Sequence, residues 1–183
     1  MTFAFSQRDI EAVAALPPLP VMSPKPQTSM SDSEAELVRA VEKYKADSSV
    51  WRTTLSENLG QLKQMMAVAA EPGNDTILRL LRDDILSGLI DSVDLAINAM
   101  KENRTAHDAH AKAKLEQINA ASPQIARHIT RIEKQYLTAR DEQYDWAVQF
   151  YYALLALRAE FDPEARGGPT FENADDLIPS LHS

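Results

Sequence analysis

The chain has 183 residues, a formal net charge of −8 at pH 7 and no cysteine. Without cysteine it forms no disulfide bond or thiolate metal site, and its acidic charge argues against general binding of nucleic acid. Five glycines and 7% aromatic residues are few for a sheet protein with many tight turns. We therefore expect an all-α, cytoplasmic protein. No apolar run is long enough for an integral membrane segment.

Residues 1–31 are predicted to form a short amphipathic segment followed by a proline-rich linker. The apolar residues of the segment lie between Phe3 and Leu16 and are compatible with one short helix. The linker contains five prolines, which stop a helix and favour an extended chain. These are Pro17, Pro18, Pro20, Pro24 and Pro26. Ser31 or Ser33 is the predicted N-cap of the next helix.

The first long helix is predicted over about residues 32–70. Its apolar residues are spaced alternately three and four apart, as in a coiled coil. The predicted apolar positions are Leu37, Val41, Tyr44, Trp51, Leu55, Leu62, Met65 and Ala69. Ser48 and Asn58 occupy the two polar positions of this register. Pro72 and Gly73 then end the helix, and Asn74 or Asp75 is the predicted cap of the next one.

A second helix is predicted over about residues 75–121, with a kink or frayed turn near residues 103–105. Its first half is apolar on more than one face, so we expect it to contact two neighbours. Gly88 is expected to allow close approach of another helix. A third helix is predicted over residues 122–162, because Ser122 and Pro123 form a start signal and Asp162 and Pro163 form a stop signal.

The third helix shows the clearest register, and residues 163–183 are predicted to be a flexible acidic tail. Its predicted core positions are Ile125, Ile129, Ile132, Tyr136, Ala139, Gln143, Trp146, Phe150, Leu154 (or Ala153), Leu157 and Phe161. The loops between the long helices are short, which forces antiparallel neighbours. The sequence thus predicts an elongated antiparallel three-helix bundle with coiled-coil-like packing and flexible N- and C-terminal tails.

No motif predicts a catalytic residue or a bound cofactor, so the functional expectation is protein–protein interaction, including homo-oligomerisation. Candidates are a scaffold, an adaptor, an assembly chaperone or a secretion-apparatus component. Several aromatic and apolar residues lie off the core register or in the tail, where they favour an interface. The predicted partner-binding residues are Trp146, Tyr151, Tyr152, Leu155, Phe171, Leu177 and Ile178.

Three alternatives remain open. The acidic surface could block a basic target, as in an inhibitor or immunity-type protein. A helical-bundle metalloenzyme could use three histidines at similar heights, His107, His110 and His128. Between Lys101 and Arg140 the chain has eight basic residues against four acidic ones. This basic hairpin could contact anionic lipid through Arg127, Arg131 and Lys134.

Overall fold

The computed structural model describes residues 7–14 and 28–162. These residues form α1 (Gln7–Ala14), α2 (Thr28–Ala69), α3 (Asp75–Arg79), a π-helical segment (Leu80–Leu86), α4 (Ser87–Ala121) and α5 (Pro123–Glu160). The described part of the chain contains no strand. The all-α fold class is confirmed.

Three long helical units form an elongated antiparallel bundle, as predicted. The backbone stays helical from α3 through the π-helical segment into α4, so residues 75–121 form one unit. Residues 70–74 connect α2 to this unit, and Ser122 alone connects it to α5. With 42 residues, α2 is about 63 Å long at 1.5 Å per residue.

The helix boundaries follow the local signals with one exception. Asn74 is the N-cap of α3, after a turn in which Gly73 has a φ of 95°. Ser122 precedes Pro123 at the start of α5. However, α2 begins at Thr28, so Ser31 and Ser33 lie inside the helix and do not cap it. No proline or glycine follows Pro26 before the apolar register begins, and extending an existing helix costs little.

The predicted register of α2 holds except at two positions beyond Leu55. Leu62 and Ala69 are buried as predicted, but Leu59 and Met66 are buried where the spacing predicted Asn58 and Met65. An extra four-residue step from Leu55 to Leu59 places leucine instead of asparagine in the core. It also keeps the buried face aligned with the 3.6-residue helical repeat.

The π-helical segment is a feature that the sequence did not predict. In an α-helix, Leu81 and Leu86 would lie about 140° apart around the axis, because each residue turns by about 100°. The wider i→i+5 turn of a π-helix brings both side chains into the core, where they are 4% and 0% exposed. Within the same segment Arg82 donates from Nη1 to the Phe161 carbonyl oxygen at 3.3 Å, which links it to the end of α5.

The buried apolar side chains form two clusters. The larger cluster contains the buried residues of α1, of α2 from Trp51 onward, of the π-helical segment and of α4 up to Met100. From α5 it contains Ala147, Phe150, Leu154 and Leu157. The smaller cluster contains Leu37, Val41, Tyr44, Ala111, Ile118, Ala126, Ile129, Ile132 and Tyr136. Beyond Gln143 the buried position of α5 is Ala147, and Trp146 is only half-buried beside it.

The N-terminal helix α1 packs mainly on α4 and also contacts α2. Its Ile10 and Ala14 side chains are 6% and 2% exposed and belong to the larger cluster. Within the described residues, no Cα atom of α2 lies within 8 Å of one of α4, although both helices contact α5. The bundle therefore has four helices around the larger cluster and three around the smaller one.

The structure bears on two local expectations for the second unit. α4 is helical without interruption through residues 103–105, so no frayed turn occurs there. The residues of that stretch are exposed and need no core contact. A Cβ atom added at Gly88 would meet no atom within 4 Å, so this glycine does not permit a close helix approach.

Candidate functional site

The predicted partner-binding residues of α5 lie together on the side of the larger cluster. Trp146 is half-buried, stacks on Phe150 with ring centroids 4.9 Å apart and meets Trp51 edge-on at 5.8 Å. The guanidinium of Arg52 lies 5.9 Å from the centroid of the Trp146 ring. Most of the Trp146 ring is thus committed to contacts within the bundle.

An apolar stripe runs along the adjoining face of α5. It consists of Val148, Tyr151, Tyr152 and Leu155, whose spacing of three, one and three residues places them on one side of the helix. Val148, Tyr151 and Leu155 are half-buried and pack against the larger cluster. Tyr152 is 60% exposed, and its ring meets that of Tyr151 edge-on at 5.9 Å. We call these four residues the α5 stripe.

Other large apolar side chains are also exposed, chiefly beside the connection between α2 and α3. There the end of α2 and the start of the next unit expose four side chains. They are Met65, Val68, Ile77 and Leu80, with exposed fractions of 42–63%. Leu95, which is 58% exposed, lies on α4 about 200° around the axis from the buried Val93. The predicted binding residues Phe171, Leu177 and Ile178 lie outside the described residues.

Between the two clusters lies a layer of buried polar side chains. Its members are Ser48, His107, Glu133, Arg140 and Gln143, each no more than 8% exposed. Four of the five fall between the residues of the two clusters, for example Ser48 between Tyr44 and Trp51 in α2, whereas Glu133 lies between Ile132 and Tyr136 of the smaller cluster. We call it the polar layer. Sequence reasoning placed only Ser48 and Gln143 in the core register and missed the buried charges.

The polar layer is held together by hydrogen bonds between helices. His107 Nε2 lies 2.8 Å from Glu133 Oε1, and both side chains are 6% exposed. Arg140 donates from Nη1 to Asp108 Oδ1 at 2.6 Å and from Nε to Asp141 Oδ1 at 3.1 Å. These bonds outweigh the effect of burial and raise the pKa of Arg140.

Arg52 extends the polar layer toward the surface. Its Nε donates to Gln143 Oε1 at 2.5 Å. Burial lowers the pKa of the Arg52 guanidinium, and Glu142 partly opposes this. Among the charged and amide side chains of the layer, two buried atoms, Glu133 Oε2 and Gln143 Nε2, have no hydrogen-bond partner among the described residues. Since such a group pays its full desolvation cost, the layer stabilises the bundle less than its bonds alone indicate.

Two tyrosines lie on the smaller-cluster side of the layer. The rings of Tyr44 and Tyr136 meet edge-on at 5.3 Å, and the Tyr136 ring lies 5.1 Å from that of His107. Burial raises the pKa of both phenols above the ordinary value of 10.0. The Tyr136 hydroxyl has no hydrogen-bond partner among the described residues. Both phenols therefore stay protonated in the folded protein throughout the neutral range.

The three candidate metal-binding histidines do not come together. His107 is buried against Glu133, whereas His110 is exposed. His128 Nδ1 lies 3.9 Å from Glu34 Oε1 near the opposite end of α2 from the larger cluster. Across residues 7–14 and 28–162, no group of three histidine or acidic side chains is arranged to hold a metal ion.

Glu133 and Arg140 also line an open groove between α4 and α5 with a volume of about 610 Å³. The groove wall contains acidic and basic side chains in equal number, Asp108, Glu116 and Glu133 against Lys112, Arg127 and Arg140. The basic residues Arg127, Arg131 and Lys134 are all exposed on α5. This balance of charges gives the groove no strong preference for an anion.

No known protein family, curated protein or solved structure matches this chain. Among the described helices, none combines the length and the apolar character needed to cross a bilayer.

Proposed function

We propose that this chain is a non-enzymatic protein–protein interaction protein. The roles of this class that suit an elongated bundle are those of a scaffold, an adaptor, an assembly chaperone and a secretion-apparatus component. The proposal assigns no catalytic residue, metal or cofactor to the chain. The α5 stripe is its partner-binding surface, and the partner is another protein or a second copy of the chain.

The observation that carries this proposal is the exposure of Tyr152 within an otherwise packed apolar stripe. Tyrosine is enriched among the residues that dominate protein interfaces, because a large rigid ring carries a polar hydroxyl. Tyr151 and Leu155 flank Tyr152 and are half-buried, so they hold it in place. Packing against the larger cluster also makes the stripe rigid, which lowers the entropy cost of binding.

Replacing Tyr152 with aspartate tests the proposal. The matched control is Leu95→Asp, because Leu95 is exposed to a similar extent, 58% against 60%. Wild type and both variants are immobilised and exposed to a lysate of the source cells, and the captured proteins are quantified by mass spectrometry. We expect Tyr152→Asp to weaken capture of a specific partner by about thirty-fold, as for an interface hot spot of about 2 kcal/mol, and Leu95→Asp to leave it unchanged.

Sedimentation velocity on the same three proteins tests the second-copy form of the proposal. A wild-type dimer that Tyr152→Asp dissociates would identify the partner as another copy of the chain. A monomeric wild type that captures the same proteins as Tyr152→Asp, in the same amounts, would refute the α5 stripe as the binding surface.

A further inference from the structure

The net negative charge of the described residues lies in one half of the bundle. The half around the larger cluster, residues 7–14, 51–100 and 141–162, has six lysine and arginine residues against fourteen aspartate and glutamate residues, a net charge of −8. The other half, residues 28–50 and 101–140, has eleven against nine, a net charge of +2 with histidine counted as neutral. We call the first of these the acidic half. The α5 stripe belongs to it.

Exposed carboxylates border the α5 stripe on its own helix. Asp145 precedes Tyr152 by seven residues, nearly two full turns, so the two lie about 20° apart around the axis and about 10 Å apart along it. Glu142 and Glu160 lie near the two ends of the stripe, both about 80° from Tyr152 on the same side. All three carboxylates are exposed, and none of them forms an ion pair among the described residues.

Basic residues near the stripe are few. Between residues 141 and 160 of α5 the only one is Arg158, which lies about 120° around the axis from Tyr152, on the side away from the two glutamates. The stretch of α4 that packs in the same half, residues 87–100, contains two aspartates and no basic residue. Because exposed charges act over about 10 Å at ordinary salt, these carboxylates together make the potential over the stripe negative.

This charge distinguishes between the two partners that the proposed function allows. A two-fold dimer places the same surface of each copy against itself, so pairing through the stripe would bring two acidic halves together. Like charges in such an interface are strongly unfavourable. A protein that surrounds an apolar patch with lysine or arginine instead meets the opposite charge, which also speeds its approach. The charge therefore favours a basic protein over a second copy.

We propose that the partner of the α5 stripe is a basic protein other than this chain. Its apolar side chains cover Tyr152, and its lysine or arginine side chains pair with Asp145, Glu142 and Glu160. This inference rests on the proposed interaction function and names the class of partner that the stripe binds. The apolar contact provides most of the affinity, whereas the carboxylates increase the rate of association and select the partner.

A phage-displayed library of random peptides is the probe for this surface. The library is first depleted on Tyr152→Asp and then selected on the full-length wild-type chain. Because Tyr152→Asp adds a negative charge, peptides that are held by charge alone bind the variant at least as well as wild type and are removed. We expect the peptides that remain to combine large apolar residues with a net positive charge.

Titrations of the selected peptides then measure how much the carboxylates contribute. Fluorescently labelled peptides are added to wild type, Asp145→Lys and Glu36→Lys, and anisotropy gives each Kd. Both substitutions change the net charge equally, but Glu36 is exposed near the start of α2, about 35 Å along the bundle from Tyr152. We expect Asp145→Lys to weaken binding about ten-fold, since it replaces attraction with repulsion, and Glu36→Lys to change it by less than about two-fold.

The salt dependence of the same titrations is a second measure. Raising the salt from about 0.1 M to about 1 M shortens the screening length from about 10 Å to about 3 Å, and it should weaken binding to wild type about ten-fold. The Kd for Asp145→Lys should change less, because less attraction remains to be screened. Circular dichroism of each variant confirms that the long helices are intact.

Two results would overturn the proposal while the α5 stripe remains a binding surface. One is a set of Tyr152-dependent peptides without an excess of positive charge, whose Kd is the same for Asp145→Lys as for wild type. The other is a wild-type dimer in sedimentation velocity that Tyr152→Asp dissociates, since the partner would then be a second copy. A selection that yields no Tyr152-dependent peptide would instead contradict the α5 stripe itself, and this inference with it.

Discussion

At one end of the bundle four helices surround an apolar cluster, whereas at the other end three helices pack a smaller cluster beside buried charges. The five buried polar side chains of the described residues all belong to the polar layer, outside the larger cluster. The smaller cluster adjoins His107, Glu133 and Arg140, which bond between α4 and α5. The same three long helical units are thus held by two different kinds of interaction.

This difference has consequences for specificity. Apolar burial is non-directional and depends on area, so the larger cluster constrains the alignment of its helices less strictly than directional bonds do. A buried hydrogen-bonded pair contributes little net stability but penalises any arrangement that separates its members. We infer that the polar layer sets the axial alignment of α4 and α5.

The largest effect expected from this difference between the two ends of the bundle is at His107. Replacing it with leucine leaves the Glu133 carboxylate buried without a partner, and we expect a loss of about 3–5 kcal/mol in the free energy of unfolding. The double variant His107→Leu with Glu133→Leu removes both polar groups, and its stability should return to within about 1 kcal/mol of wild type. Urea denaturation followed by circular dichroism measures all three proteins.

A matched control for this experiment lies one turn away. His110 is exposed, so His110→Leu should change the unfolding free energy by no more than about 0.5 kcal/mol. If His107→Leu were as mild as His110→Leu, the His107–Glu133 bond would not hold α4 and α5 in alignment, and the two ends of the bundle would not differ as described.

The sequence predicted the long helices and their antiparallel order because the signals for these features are local. Pro72 with Gly73 and Ser122 with Pro123 end and start helices whatever the rest of the chain does. The short connections that they define then force neighbouring helices to be antiparallel. These inferences need no knowledge of which side chains meet.

The sequence did not predict the features that depend on contacts between helices. Glu133 and Arg140 carry charges that usually indicate a solvated face, and only their partners on α4 explain their burial. His107 was singled out as a metal ligand, whereas its bonding partner is Glu133. The change of register at Leu59 and the π-helical segment likewise depend on which neighbour each side chain meets. The partner-binding role of the α5 stripe remains a prediction.

At high pH a smaller effect on the free energy of unfolding should distinguish the two ends of the bundle. Burial raises the pKa of Tyr136 above 10.0, so above pH 10 the unfolded chain loses this phenolic proton while the folded chain keeps it. Its stabilising contribution is therefore complete below about pH 10 and declines above it, by about 1.4 kcal/mol per pH unit for each such phenol. Tyr44 contributes in the same direction.

In Tyr136→Phe the free energy of unfolding should decline less steeply above pH 10, because only the contribution of Tyr44 remains. At neutral pH the variant should equal or exceed wild type by up to about 1 kcal/mol, because the hydroxyl that it removes has no partner among the described residues. Denaturation curves between pH 8 and 11.5 measure both effects. Tyr152→Phe, at an exposed position outside the polar layer, should keep the wild-type pH dependence, and an unchanged slope in Tyr136→Phe would contradict the assignment.

The smallest expected effect concerns two glycines, one in α2 and one in α4. Gly60 in α2 and Gly88 in α4 both have helical backbones, and a Cβ atom at either position would meet nothing within 4 Å. Replacing either with alanine should stabilise the protein by about 0.5–1 kcal/mol, because the unfolded chain loses conformational freedom and no contact is strained. Thermal denaturation of the two single variants and the double variant measures the effects, which should add because α2 and α4 do not approach each other. Destabilisation by Gly88→Ala alone would mean that another helix lies closer to α4 than described, and the helices around the larger cluster would then be packed more tightly than the structure shows.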